Sequence, residues 1–367
     1  MVNQWQLLSL IKRNDIALNI RDAPFYEEHW SPVRGLFSVE QEEALASLPA
    51  QASDDAFNSI YKISFPYDFS APSAHRNFVF GTAEYRRLDE SYFGSLDDIR
   101  NLAESDRFFV ITPSHWSRDA FLHLGLRSEQ VIVIPHGVDP NVFFKIPEEE
   151  RNAIRERIRV PGFVFANASS MTGNKGIDLL LRAFAVVAEK RGDCRLLLKG
   201  TDQLYQSKGF LGQAIAKLPS KLQTVVLDRL IYIGGTLPNE KMAEFYQIAD
   251  VYVSPYHAEG FNLPVLEASA CGTPVICTNG GPTDDFVEND FAYRINSVLK
   301  PVNRTKNGGF WLEPDVDHLV HLMLKVMDDV GWRKQAAVAG ERHAAINFCW
   351  DSIVDRLLGT MFASDAS

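Results

Sequence analysis

Apolar positions along this chain alternate between two rhythms. Short unbroken apolar runs stand at 107–112 (RFFVIT), 131–134, 162–167 (GFVFAN), 195–199 (RLLLK), 230–234 (LIYIG), 250–254 and 274–278 (PVICT). Between them, apolar residues recur at three- and four-residue spacing over 176–190, 239–249, 263–271, 316–329 and 331–346. Runs bounded by turn formers predict buried strands, and the wider spacing predicts helices with one apolar face. Strands alternating with helices predict a parallel sheet with crossover helices. The rhythm is weaker near the start. Residues 5–13 have helical spacing, 15–20 (DIALNI) predict a strand, and 59–65 and 77–80 predict short strands. Ser114 or Ser117 caps a helix after 107–112. Residues 22–57 are rich in aromatics and follow neither rhythm.

One stretch combines strand, loop and helix start. Val251, Tyr252 and Val253 lead into Ser254 and Pro255, and a loop carries Glu259, Gly260, Phe261 and Asn262. A helical run begins at Leu263, with Pro264 in its first turn and Gly272 past its end. Glu259 and Glu267 are separated by seven residues. A loop feeding a helix N-terminus offers backbone N–H groups and the positive end of the helix dipole, a natural anion site. The same pattern reads equally as an ordinary βα unit whose glycine only makes a turn.

A second loop, 168–176, is small and polar and ends in Lys175-Gly176 at a helix start. Lys175 taken alone reads as a surface lysine. Yet both loops leave the carboxyl ends of strands, the edge where open α/β sheets bind ligands. A compact cation beside helix-terminal N–H groups suits a diphosphate. The chain has no GxxxxGK[ST] and no GxGxxG after an early strand, which counts against a P-loop and a dinucleotide oxidoreductase.

At 367 residues the chain exceeds one ordinary core, so two domains are expected. The turn-forming run Pro135 to Pro140 precedes the boundary, which gives 1–143 and 144–348. The acidic run Glu148 to Glu150 opens a helix, where negative charge suits the dipole. A net charge of −10 argues against nucleic acid as a partner and against strong attraction to anionic membranes. Four cysteines without CxxC spacing read as free thiols in a reducing compartment. The first ten residues do not have signal-peptide character.

Taken together, the motifs resemble a known family. Glu259-Gly260-Phe261-Asn262-Leu263-Pro264-Val265-Leu266-Glu267, followed by Ala268 to Val275, resembles the E-x7-E signature of the family 4 retaining nucleotide-sugar glycosyltransferases of the GT-B fold. Lys175 to Leu180, Tyr232 to Gly235, Phe245-Tyr246, Ala249-Asp250, Ile134 to Asp139 and Phe348 to Trp350 agree in order and spacing. The resemblance runs from about 105 to 355 and is poor before that.

The resemblance implies two Rossmann-like domains facing across a cleft. The first would be the acceptor side, completed by a C-terminal helix within 349–367 and lacking its first strand. The second would hold the donor. It implies that Lys175 meets the donor's diphosphate and that Glu259 faces the transferred sugar, the two catalytic assignments. Ser169 and Ser170 lie beside the phosphates. The backbone of Gly260, Phe261, Asn262 and Leu263 holds phosphate or sugar oxygens. Glu267 accepts from the ribose hydroxyls, and Gly235 and Leu237 lie near the base. No metal or other cofactor is implied. The expected function is retaining transfer of a sugar from a nucleoside-diphosphate sugar, with UDP first, to a glycan or glycolipid in polysaccharide biosynthesis. The expected place is the cytoplasm, with weak peripheral association at the inner face of a membrane.

The chain departs from the family at several points. Ser169 or Ser170 stands where an arginine is usual, Phe80 where a histidine is frequent, with Glu84 nearby, and Asn262 where glycine is common. Asn262 suits that place if its φ is positive. Asp315-Val316-Asp317 has a metal-binding form but sits at a helix start, where capping explains it. His136 and His257 read as hydrogen-bonded structural residues. The alternatives are a non-catalytic nucleotide-sugar binder and a glycoside hydrolase using Glu259 and Glu267 as acid and base.

Overall fold

The computed structural model describes residues 2–22, 33–50, 57–71, 75–93, 96–303 and 308–363. The chain divides into two compact units. The first comprises Met1–Gly137, Pro301–Phe310 and Phe348–Ser367, and the second Val138–Lys300 and Trp311–Asn347. The division falls after Gly137, earlier than the 143/144 boundary read from the sequence, and assigns 301–310 to the first unit.

The first unit opens with α1 (Val2–Ile11), α2 (Val39–Ala46), β1 (Ser59–Lys62), β2 (Arg76–Phe80), α3 (Leu96–Ala103), β3 (Phe108–Thr112), α4 (His115–His123) and β4 (Val131–Val133). Its strands form a parallel sheet in the order β1-β2-β3-β4. Val79, Phe108, Val110 and Phe121 are buried in its core. Ser114 caps α4, its hydroxyl accepting from Ser117 N at 3.1 Å.

The strand expected over 15–20 does not form. Those residues run as irregular chain, with one bridge from Ile20 to Ala50. Alternation of apolar and polar residues marks a segment able to pair, but pairing needs a neighbouring strand to supply its hydrogen bonds. Conversely, α2 arises in a region without clear rhythm. Its start is local: Ser38 and Gln41 form a reciprocal capping box. The rest of the 22–57 stretch falls partly outside the described residues.

The second unit contains α5 (Glu148–Ile158), β5 (Phe163–Ala168), α6 (Ile177–Lys190), β6 (Cys194–Lys199), α7 (Asp202–Tyr205), α8 (Ser207–Ala216), α9 (Ser220–Leu227), β7 (Leu230–Ile233), α10 (Asn239–Gln247), β8 (Val251–Ser254), α11 (Leu263–Ala270), β9 (Val275–Thr278), β10 (Ala292–Ile295), β11 (Ser297–Pro301), β12 (Phe310–Pro314), α12 (Val316–Asp328) and α13 (Val330–Asn347), the ends of β11 and β12 counting with the first unit. Six strands form a parallel sheet in the order β10-β9-β8-β5-β6-β7. Strands covered on both faces have no polar side, which is why their sequences read as continuous apolar runs. Leu180, Phe184, Leu196, Leu198 and Val253 are fully buried between sheet and helices.

α5 is fastened to this sheet by charge. Asp250 accepts from Arg151 and Arg155, each at 2.6 Å, and from Val164 N at 2.7 Å. Burial raises the Asp250 carboxyl, but the two guanidinium groups outweigh it and hold the group below its ordinary value. Asp315 caps α12 by accepting from His318 N at 3.0 Å, so the D-x-D form is a helix start.

After the second unit the chain re-enters the first as α14 (Trp350–Met361), which packs against α1. Ser9 donates to Asp351 at 2.5 Å, and Arg13 pairs with Asp355 at 2.7 Å. Cys194, Cys271 and Cys277 are buried free thiols, and Cys349 is partly buried. No helix among the described residues is long and apolar enough to cross a membrane.

Candidate functional site

The strand order of the second unit reverses between β8 and β5. From β5 the sheet grows one way through β6 and β7, and from β8 the other way through β9 and β10. The loops leaving β5 and β8 therefore diverge and open a crevice at their carboxyl ends. These two loops carry Lys175 and Glu259.

The β5 loop is braced by its own side chains. Ser169 Oγ accepts from Met171 N at 3.2 Å, Ser170 Oγ and Thr172 Oγ1 are 2.7 Å apart, and Thr172 donates to Asn174 at 2.8 Å. The loop is also tied to its neighbour: His257 N donates to the Asn174 carbonyl at 2.8 Å, and Asn174 Nδ2 donates to Ala258 O at 3.2 Å. Gly176 is required here. Its φ is +66°, and an added Cβ would stand 1.9 Å from the Pro255 carbonyl oxygen. This close approach brings Lys175 Nζ to 3.0 Å from Glu259 Oε2, with only 15% and 14% of the two side chains exposed. Lys175 is thus not the surface lysine that its sequence position alone allowed.

The β8 loop ends at Asn262, whose φ of +75° places it in the left-handed region that asparagine tolerates. Its side-chain amide donates inward to Ser254 Oγ at 2.8 Å, and no side chain caps α11. With Pro264 in the first turn, the helix start at Leu263 keeps its positive end uncovered by a side-chain cap. Phe261 is buried and stacks on Phe286 at 4.6 Å, which anchors the loop.

Glu267 lies one turn into α11, where Tyr246 of α10 donates to it at 2.6 Å. Burial pushes its carboxyl up to about 7, partly offset by that hydrogen bond. Glu259 and Glu267 therefore stand in different surroundings: one faces an ammonium, the other a phenol in apolar company.

Gly235 and Leu237 follow β7. Gly235 has open space around its α-carbon, and Leu237 is half-buried. Gly234 lies against Asp202, whose Oδ1 accepts from Tyr232 at 2.6 Å and from Lys208 N at 2.8 Å. Ser169 and Ser170 adjoin the next strand, because Ser169 N donates to Lys199 O at 3.0 Å. The structure so brings Lys175 and Glu259 into contact, sets Asn262, Leu263 and Glu267 on the neighbouring helix start, and leaves Gly235 and Leu237 at the next strand end outward.

His257 is held as a structural residue, with Nδ1 2.8 Å from Leu312 O and its ring on Trp311 at 4.6 Å. In the first unit, burial drives His136 down to about 3, so it is neutral, and its ring packs 5.6 Å from Phe80 and 6.3 Å from Trp350. Sequence reading missed Asn174, Tyr246 as the partner of Glu267, and Lys199. The charge closing the apolar run RLLLK was the only local sign of the last.

Residues 148–343 match the family described as glycosyl transferases group 1. The mannosylfructose-phosphate synthase of Agrobacterium fabrum is 31% identical over 43% of this chain and 34% of its own length. The D-inositol 3-phosphate glycosyltransferase of Nocardiopsis dassonvillei is 29% identical over 72% of this chain and 57% of its own. The chain thus spans about a third to just over half the length of these curated relatives. Among solved structures, a glycosyltransferase of Rickettsia africae aligns with a TM-score of 0.64 at 15% identity, covering 87% of this chain and 85% of that one. Anabaena HepE in complex with UDP and glucose aligns at 0.61 and 19% identity, covering 79% and 72%. These likenesses show the fold, which is GT-B. The match over more than half of the chain, on the unit that carries Lys175, Glu259 and Glu267, places this chain in the glycosyl transferases group 1 family.

Proposed function

We propose that the chain is a retaining glycosyltransferase that moves a hexose from a nucleoside-diphosphate sugar to a glycan or glycolipid acceptor. The observation that carries this reading is the buried Lys175–Glu259 pair at the strand-order reversal, beside a helix start that no side chain caps. When the bond from the sugar to the diphosphate breaks, negative charge grows on the leaving phosphate. Lys175 and the N–H groups at the start of α11 meet that charge without a metal. Glu259 faces the sugar, Glu267 takes the ribose hydroxyls, and Ser169 and Ser170 flank the phosphates. Gly260, Phe261, Asn262 and Leu263 hold phosphate or sugar oxygens by their backbone, and Gly235 and Leu237 lie beside the base. The acceptor oxygen bonds to the anomeric carbon on the face the phosphate leaves, and its proton passes to that phosphate.

UDP, bound in the Anabaena structure, is the first donor nucleotide to test. GDP is the second, since a Corynebacterium glutamicum relative is named a GDP-mannose-dependent mannosyltransferase. The phosphatidylinositol mannoside in that relative's name supports a glycolipid acceptor here. Action at the cytoplasmic face of a membrane is part of the same proposal. A glycoside hydrolase is disfavoured, because Glu259 and Glu267 are engaged by different partners.

The test is calorimetric titration with UDP-, GDP- and ADP-sugars, followed by turnover in EDTA and NMR of the product's anomeric proton. Binding and transfer with retained configuration are expected. Inversion, or activity that EDTA abolishes and magnesium restores, overturns the mechanism. Binding without any transfer leaves a nucleotide-sugar binder.

A further inference from the structure

The charges at this strand edge do not by themselves suit a diphosphate. Lys175 is already matched by Glu259 at 3.0 Å. The two other carboxyls of the neighbourhood, Asp202 and Glu267, add no positive charge. Lys199, the last residue of β6, supplies a cation that nothing described so far uses. It is only 5% exposed, and its ammonium donates to the carbonyl of Gly200. Among the described residues it makes no ion pair. Asp202, the carboxylate whose charge acts on it, spends Oδ1 on Tyr232 and Lys208 N. An ammonium has three N–H donors, and burying one that lacks an anionic partner is costly.

Its position fits a ligand role. Lys199 pairs in register with Ala168 and Ile233, the last residues of β5 and β7. Its carbonyl accepts from Ser169 N at 3.0 Å. It therefore stands between the loop carrying Ser169, Ser170 and Lys175 and the loop carrying Gly235 and Leu237. We propose that Lys199 is a second phosphate-binding cation of this site, taking a phosphate oxygen of the donor diphosphate. The proposal rests on the nucleotide-sugar reading above. Burial lowers the Lys199 ammonium from its ordinary value, and an arriving phosphate both fills its remaining donors and restores the charged form.

A lysine that only braced Gly200 would act on the fold and on all ligands alike. A phosphate-binding lysine acts in proportion to the phosphates present. The experiment is calorimetric titration of the full chain with UDP, GDP and ADP, then with the nucleoside of whichever binds. Lys199→Met is expected to weaken the diphosphate by about 10–100-fold, the scale of one hydrogen bond to a charged group. Nucleoside affinity should change by less than about twofold on the same scale. The melting temperature should not fall, since replacing a buried unpaired charge by an apolar side chain relieves its desolvation. Lys199→Arg should restore most of the diphosphate affinity. Equal loss for nucleoside and diphosphate, or no loss for either, overturns the assignment while leaving the nucleotide-sugar reading intact. A parent chain that binds none of the three diphosphates overturns both. Should Lys199→Met fail to fold, Lys199→Gln is read by the same ratio of diphosphate to nucleoside affinity.

Discussion

The two units are both parallel α/β layers, yet their strand orders differ. In the first unit the described strands follow one another as β1-β2-β3-β4, with no reversal. In the second, the order reverses between β8 and β5. A reversal sends two successive loops apart and leaves a crevice, and a simple succession does not. At the corresponding edge of the first sheet, His136 is a neutral, buried ring beside Phe80 and Trp350, and Arg86 of the loop after β2 pairs with Asp119. At the reversal in the second unit, Lys175 and Glu259 form a buried pair beside a helix start that no side chain caps. Sheets of one architecture thus differ in their capacity for chemistry because of topology, before any side chain is chosen.

This contrast can be broken by substitution. The largest effect expected is on the scaffold that holds the reversal in place. Asp250→Asn leaves Arg151 and Arg155 without their carboxylate, and breaking a buried pair costs roughly 3–5 kcal/mol. Urea unfolding of the second unit, followed by fluorescence, should show that loss. A change below about 1 kcal/mol would mean the cluster behaves as a surface pair.

Next comes Lys175→Ala. If the lysine meets charge that grows on the leaving phosphate, kcat should fall by about 10²–10³-fold, or ~2.7–4 kcal/mol. Glu259→Gln should follow it, since the two side chains touch. A fall in kcat of less than about threefold, well under 1 kcal/mol in barrier, would remove Lys175 from the mechanism.

Glu267→Gln tests the second carboxylate. If it accepts from the ribose hydroxyls, those bonds form alike in ground and transition states, so donor KM should rise by about tenfold or more and kcat should change less. The pH dependence has a definite sign. The Glu267 carboxyl titrates near about 7 in the free fold, above its ordinary value. Its proton is held more tightly folded than unfolded, so stability from this group is full below the ordinary carboxyl range and is lost as pH rises to about 7. Glu267→Gln should remove that loss. If the ionised carboxyl receives the ribose, parent KM should fall as pH rises through about 7, and the variant's should stay flat. A parent KM independent of pH there would show that Glu267 does not receive the ribose.

The smallest effect belongs to the first unit. Ser114→Ala deletes the cap of α4 and should cost about 0.5–2 kcal/mol of stability. Nucleotide affinity of the second unit should not change. A weakened donor would show that the contrast between the units is too sharply drawn.

Much of this was legible in the amino-acid order. Apolar periodicity located β5 to β9 and α6, α10, α11, α12 and α13 to within a residue or two, because faces of helices and strands are local properties of side-chain spacing, but it marked none of α7, α8, α9, β10, β11 and β12. It also marked the glycines and the asparagine of the two loops, whose backbone angles only a few residue types adopt. Caps such as Ser114 and Asp315 were readable for the same reason, since each is satisfied within three residues. The segment 15–20 also failed: its pattern suits a strand, but among the described residues it pairs only through the single bridge from Ile20 to Ala50.

Tertiary structure alone decided the rest. Lys175 and Glu259 meet across 84 positions only because Gly176 lets the β5 loop reach Pro255. Burial sets the Glu267 carboxyl at about 7, and Tyr246, reaching it from a different helix, offsets part of that rise. Lys199 reads as the polar end of a strand until the sheet buries it, with no ion pair among the described residues. Charges acquire their strength from what is packed around them, and packing depends on strand order and loop closure, which no local spacing encodes.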